Sequence, residues 1–254
     1  NGMNTMIYTR MMKVNLVKFA FRICIFLGVL GVYVFNKGLL VEMMTHRFFV
    51  ELTVYGVSLL HVLWFVFMVM MIRHLFPKKV FTMALLKGEA DTYVEEEGYS
   101  RMEMLEFVQN QNIKAWTVLL IWLLGNAVFA LLYLLGFLDS ADLLMLTVFY
   151  FLCDYICIMV FCPFQTYVMK NRCCVNCRIY DWGHFMMFTP MLFIKNFFSW
   201  SLFFTSVVVM IRWELHYAKH PERFWHGSNQ TIQCANCKDK TCQIKKKVTR
   251  KIVG

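Results

Sequence analysis

Apolar runs long enough to cross a bilayer constrain this chain more than any other feature. Residues 19–35, 52–72, 115–137 and 143–167 each form such a run. A helix needs about 20 apolar residues to span a hydrocarbon core of about 30 Å. Inside lipid every backbone polar group must bond internally, so runs of this length cross as helices. Only 17% of the 254 residues are charged and 59% are hydrophobic, whereas about a quarter of a soluble domain is charged. The expected fold is all-α: a polytopic membrane helix bundle with about four transmembrane helices, forming a single integral membrane domain over 1–254. The first run lacks a small-residue cleavage site and is followed at once by Asn36-Lys37, which reads as a span and not as a cleavable signal peptide. Its Gly28 and Gly31 offer a close-packing face, and Arg22 is expected to snorkel to the interface.

The formal net charge of +10 reports topology in such a chain and does not point to nucleic acid. Four basic residues precede the first core (Arg10, Lys13, Lys18, Arg22), six follow the second span and three follow the fourth, whereas the opposite side receives only Lys37 and Arg47. The excess of Lys and Arg marks the cytoplasmic side, so the amino terminus is expected there. Residues 78–114 carry Glu89, Asp91, Glu95, Glu96, Glu97, Glu103 and Glu106 among apolar positions. That pattern suggests one or two amphipathic helices at the interface or on the bundle.

A further apolar stretch, 185–211, contains Pro190 and Lys195-Asn196. As a fifth span it would bury Lys195 and send ten Lys and Arg residues, from Arg212 to Lys251, to the outer side. As a re-entrant or interfacial hairpin turning at Lys195-Asn196 it would return the basic, cysteine-rich tail, 212–254, to the cytoplasmic side, and the charge rule favours that return.

Six of the ten cysteines fall in two short polar segments: Cys173, Cys174 and Cys177 after the fourth span, and Cys234, Cys237 and Cys242 in the tail. Two C-x-x-C turns can aim four thiolates at one ion. Cys174, Cys177, Cys234 and Cys237 would thus suit tetrahedral zinc or an iron–sulfur cluster, with Cys173 and Cys242 as further ligands. The pairs are far apart in sequence, so such a site requires the hairpin. Without metal, the same residues are reduced thiols or disulfides. The polar residues next to each pair, including Asp181, Trp182, His184 and Glu214, are expected either to hydrogen-bond the ligands from outside or to anchor the chain at the interface and form ion pairs.

Three polar residues fall near the middle of separate spans: His61, Asn126 and Asp154. Ionisable groups at that depth usually face the bundle interior, and a His61–Asp154 hydrogen bond would relieve both. They read as a proton, ion or metal path, or as hydrogen-bonded glue between helices. Lys245, Lys246, Lys247, Arg250 and Lys251 form a polybasic patch whose expected partner is anionic lipid headgroup. Asn229-Gln230-Thr231 is a glycosylation triplet that a cytoplasmic tail would leave unused.

Three functions follow from these readings: a membrane protein organised around a cytoplasmic-face cysteine metal site, a small transporter or channel component using His61, Asn126 and Asp154, or a membrane thiol–disulfide oxidoreductase. In helix number and in its thiols at a membrane face the chain resembles quinone-linked disulfide oxidoreductases, although those enzymes work on the oxidising side. No phosphate loop, nucleophile triad or H-E-x-x-H motif occurs, so the sequence leaves enzymatic activity, substrate and oligomeric state undetermined.

Overall fold

The computed structural model describes residues 9–44, 59–76, 84–171 and 173–245. Its helices are α1 (Arg10–Phe35), α2 (Lys37–Met44), α3 (Leu59–Leu75), α4 (Arg101–Leu134), α5 (Ser140–Met159), α6 (Gly183–Phe188) and α7 (Phe197–Lys219), joined by short 3-10 turns and a π-helical turn, Phe164–Val168. Among the described residues there is no sheet, only an isolated antiparallel bridge between Glu95 and Asn229. Four helices, α1, α4, α5 and α7, are long and apolar enough to cross a membrane. The expected second span is described only from Leu59, as the 17-residue apolar helix α3. Large apolar side chains such as Val17, Phe21, Leu124, Val128 and Phe204 face outward from these helices. An apolar outer surface of this kind is stable against lipid and not against water. This is a multi-pass membrane protein.

The elements depart from the expected spans for local reasons. The acidic stretch at 101–114 is not a separate interfacial helix. Ser100 caps Glu103 and opens one continuous helix of 34 residues, about 50 Å long at 1.5 Å per residue, so its first turns project beyond the hydrocarbon. The fourth run stops at Met159 and not at 167. Pro163 follows, and a proline there would clash with the carbonyl four residues earlier and bar a continuing helix. Gly136, at φ +80, reverses the chain between α4 and α5. Asp139 then caps α5 in a reciprocal box with Asp142. Among the described residues Gly28 and Gly31 form no close-packing face: nothing lies within 4 Å of where a Cβ would sit on either.

The stretch 185–211 is a hairpin. Its inbound arm is α6 and a 3-10 turn, Thr189–Phe193; its outbound arm is α7. The reversal falls at Lys195-Asn196, where the Asn196 side chain accepts from Phe198 N and caps α7. The two open ends of the hairpin are tied together. Arg178 forms a two-pronged pair with Glu214, the Trp182 indole donates to Glu214 at 2.7 Å, and the Trp213 indole donates to the Arg178 carbonyl at 2.8 Å. The tail therefore leaves from the same end at which the first cysteine segment lies.

The bundle consists of two helix pairs and α4, which packs on the turns Thr189–Phe193 and Phe164–Val168. α1 packs along α5, and α3 packs along α7; α6 lies between α5 and α7 and joins the pairs. At one end Lys37 bridges Asp139 and Asp142, at 3.0 and 2.6 Å, and Tyr33 donates to Asp142 at 2.6 Å. Toward the other end Arg22 pairs with Asp154 at 2.7 Å and sits 4.1 Å over the Phe151 and Tyr155 rings. Arg22 is 9% exposed. It does not snorkel outward, because a carboxylate and two aromatic faces are available inward. Met71, Leu143, Phe151, Phe188, Leu202 and Val209 form the core where the two pairs meet.

Gly183 is the position at which α6 can approach this ion pair. A Cβ there would lie 2.7 Å from the Asp154 Oδ1. Gly183→Ala is expected to displace the carboxylate and cost about 1–3 kcal/mol, as overpacking does, which a thermal melt in detergent would register as a Tm lower by several degrees. An unchanged Tm would mean that Asp154 swings aside without loss.

Candidate functional site

Three elements converge beside that ion pair. The last turn of α3 brings His74, the 3-10 turn Tyr180–Trp182 brings Asp181, and the first turn of α6 brings His184. His74 Nδ1 and Asp181 Oδ1 are 3.0 Å apart, and the two imidazole rings meet edge to face with centroids 4.9 Å apart. One ligand atom from each of the three residues lies within 4.8 Å of the others. Asp181 is buried. Arg212 of α7 donates to the His74 carbonyl at 2.7 Å and so fixes the end of α3. Among the described residues, this is the group of three or more His, Cys, Asp or Glu side chains that reaches metal-ligand spacing. It lines a cavity of about 1050 Å³ walled by residues of α1, α3 and α6.

The hairpin brings the two cysteine segments together, as a shared site would need. Cys173 and Cys237 pack against Val175 and Ile232, and Cys173, Cys174, Cys237 and Cys242 line one cleft of about 20 Å³. Each C-x-x-C closes as a turn, with Cys177 N donating to Cys174 O at 3.1 Å and Cys237 N to Cys234 O at 3.4 Å. The six thiols nevertheless do not gather at ligand spacing, and all ten cysteines are free. Cys174 instead donates weakly to the Ile158 carbonyl and to Gln165, each at 3.7 Å. Burial pushes Cys174 up to about 11 and Cys177 up to about 12, and raises Cys173. Such thiols stay protonated at neutral pH and are weak nucleophiles. Cys162 differs: a hydrogen bond from Cys157 lowers it against the desolvation that raises it.

The remaining expected site residues are dispersed. Asp154 takes Arg22 as its partner, while the side chain of His61 lies outside the described residues. Asn126 is buried and donates to Trp122 O of its own helix at 2.9 Å. Lys245 does not reach for headgroups. It is 7% exposed, and its ammonium donates to the Cys157 carbonyl at 2.8 Å, to Gln165 and to Cys174. Lys246, Lys247, Arg250 and Lys251 lie outside the described residues. Asn229 is buried with its amide on the Arg223 carbonyl at 2.8 Å, which leaves it no room for a glycan.

His74 is the site residue that sequence reading missed, since it looks like the polar close of a span. Asp181 and His184 stood out only as neighbours of the first cysteine segment. The pairing links positions 107 residues apart, and no spacing rule joins them. Lys87 was also missed. It counts as a loop cation in the sequence, yet it is fully buried, donates to the Cys177 carbonyl at 3.0 Å and lies 5.5 and 5.7 Å from the Trp213 and Phe224 rings. Comparison with protein-family models, with curated proteins and with solved structures found no match to this chain.

Burial pushes the Lys87 ammonium down to about 8. An unfolded lysine titrates near 10.4. Between those values the unfolded chain binds the extra proton, so this residue makes stability rise with pH across about pH 8 to 10.4. Lys87→Met should remove that rise. The Tm difference between wild type and variant, followed in detergent from pH 7 to 10.5, is expected to move in favour of wild type as pH increases. A difference independent of pH would show that Lys87 is not desolvated.

Proposed function

We propose that this multi-pass membrane protein holds a divalent transition-metal ion at His74, Asp181 and His184, on the wall of the cavity at its basic end. The observation that carries the reading is the convergence of the three ligand atoms within 4.8 Å from three separate elements. Two imidazoles and one carboxylate suit zinc, iron or manganese. Three protein ligands leave a coordination position for water or a ligand, which is the arrangement of reactive and not of purely structural zinc. The ligand-bearing segments are held from behind by Arg212 on α3 and by the contact of Gly183 with Asp154, the kind of support that sets metal affinity. In this reading the basic end faces the cytoplasm. Support comes from the shared placement of Arg10, Lys87, Arg178 and Arg212 at that end, with Lys37 at the other.

A second metal reading keeps the cysteines, with structural zinc or an iron–sulfur cluster tying the hairpin to the tail through Cys174, Cys177, Cys234 and Cys237. The packing of Cys173 and Cys237 on the same two apolar side chains favours it. The two readings separate on one comparison. After purification and equilibration with zinc, His74→Ala/His184→Ala should lose the bound ion, with affinity lower by more than about 100-fold, while Cys174→Ser/Cys237→Ser retains it. The reverse pattern, measured as elemental zinc per chain, would place the ion at the thiols and overturn the histidine site.

A further inference from the structure

The cavity is larger than a metal site requires. At about 1050 Å³ it matches the upper range of pockets that enclose whole small molecules. Its lining is mixed: Val14, Phe67, Met70, Ile158 and Met187 contribute apolar surface, and Arg10, Lys18, Arg22, Arg73 and Arg212 contribute positive charge. The cavity is walled by residues of α6 and of α1 and α3, whose extensive packing is against α5 and α7 respectively.

The charges in the cavity specify the sign of that occupant. Five Arg and Lys side chains line it against four carboxylates. Three of those carboxylates have partners already: Asp154 with Arg22 at 2.7 Å, Glu89 with Arg212 at 3.5 Å and Asp181 with His74 at 3.0 Å. The side-chain balance is one positive charge, and a divalent ion at the histidines would raise it to three. A site with this surplus and apolar surface favours a molecule with an anionic head and a hydrocarbon tail.

We infer that the cavity takes an anionic phospholipid, its phosphate at the Arg10, Lys18 and metal end and an acyl chain along the α1–α3 wall. The inference rests on the metal reading of His74, Asp181 and His184 for two of the three positive charges. The metal and the phosphate then favour each other, as linked ligands must.

The test is native mass spectrometry of the detergent-solubilised protein titrated with phosphatidic acid or phosphatidylcholine, with zinc or with a chelator, alongside zinc content. Phosphatidic acid is expected to bind roughly tenfold or more tightly than phosphatidylcholine, and chelation should narrow that margin. Arg10→Gln/Lys18→Gln should lose about tenfold or more in phosphatidic acid affinity and keep its zinc. Equal binding of the two lipids by zinc-loaded protein would overturn the inference and leave the metal reading standing. Absence of zinc together with a preference indifferent to chelator would overturn the metal reading alone. If millimolar inorganic phosphate displaced phosphatidic acid completely, the acyl chain would have no part in binding, and the lipid assignment would fall.

Discussion

The rest of the structure depends on the knot of Arg178, Trp182, Trp213 and Glu214 that closes the open ends of the hairpin. A polar chain segment cannot end inside hydrocarbon without partners, and the bonds among these four residues bring the entry and exit of the α6–α7 hairpin to one place. Arg178 is 5% exposed and stacks 3.5 Å from the Tyr217 ring. Pairing such a cation matters more than pairing a surface one, since a buried charge without its partner costs several kcal/mol. The knot fixes the tail, and through it Thr9 and Asn15 of α1, which bond the Asp239 carbonyl and Thr241 at 2.8 and 3.2 Å.

Once the hairpin is closed, the cavity follows from the pairing of helices. α1 is held to α5 at two levels, by Lys37 with Asp139 and Asp142 and by Arg22 with Asp154. α3 is held to α7 through the Trp64 indole on Ser201 at 2.8 Å and Arg212 on the His74 carbonyl. The space between the two pairs is walled in part by α6 itself, through Gly183, His184 and Met187. That helix carries Gly183 and His184 in its first turn, so the residue that permits close approach to Asp154 immediately precedes the imidazole that reaches His74.

Much of this architecture is legible in the sequence, and the limit is physical. Run length identifies α1, α4 and α5, because the bilayer imposes it, whereas α7, expected as one arm of a hairpin, also has the length and apolarity to cross. Lys195-Asn196 marks the hairpin turn, because a charged residue and a helix-capping residue adjoin in an apolar stretch. Helix ends are less legible: α5 stops at Met159 through the action of Pro163 at a distance of four residues, and α4 starts at Arg101 because Ser100 supplies a cap in a segment that reads as amphipathic. Pairings between distant positions are not legible. Asp154 has Arg22 as its partner, 132 residues away, and nothing in either neighbourhood signals the match. The cysteine pattern is conspicuous and its two halves do meet, yet metal-ligand spacing occurs instead at His74, Asp181 and His184, which carry no motif because they belong to three elements.

The claim that the ion belongs to the histidines and not to the cysteines is open to one direct measurement. X-ray absorption at the zinc edge of the zinc-loaded protein reports the ligand atoms themselves. The account predicts a first shell of nitrogen and oxygen at about 2.0–2.2 Å with no sulfur. A shell dominated by sulfur at about 2.3 Å would contradict it and assign the ion to the paired C-x-x-C turns.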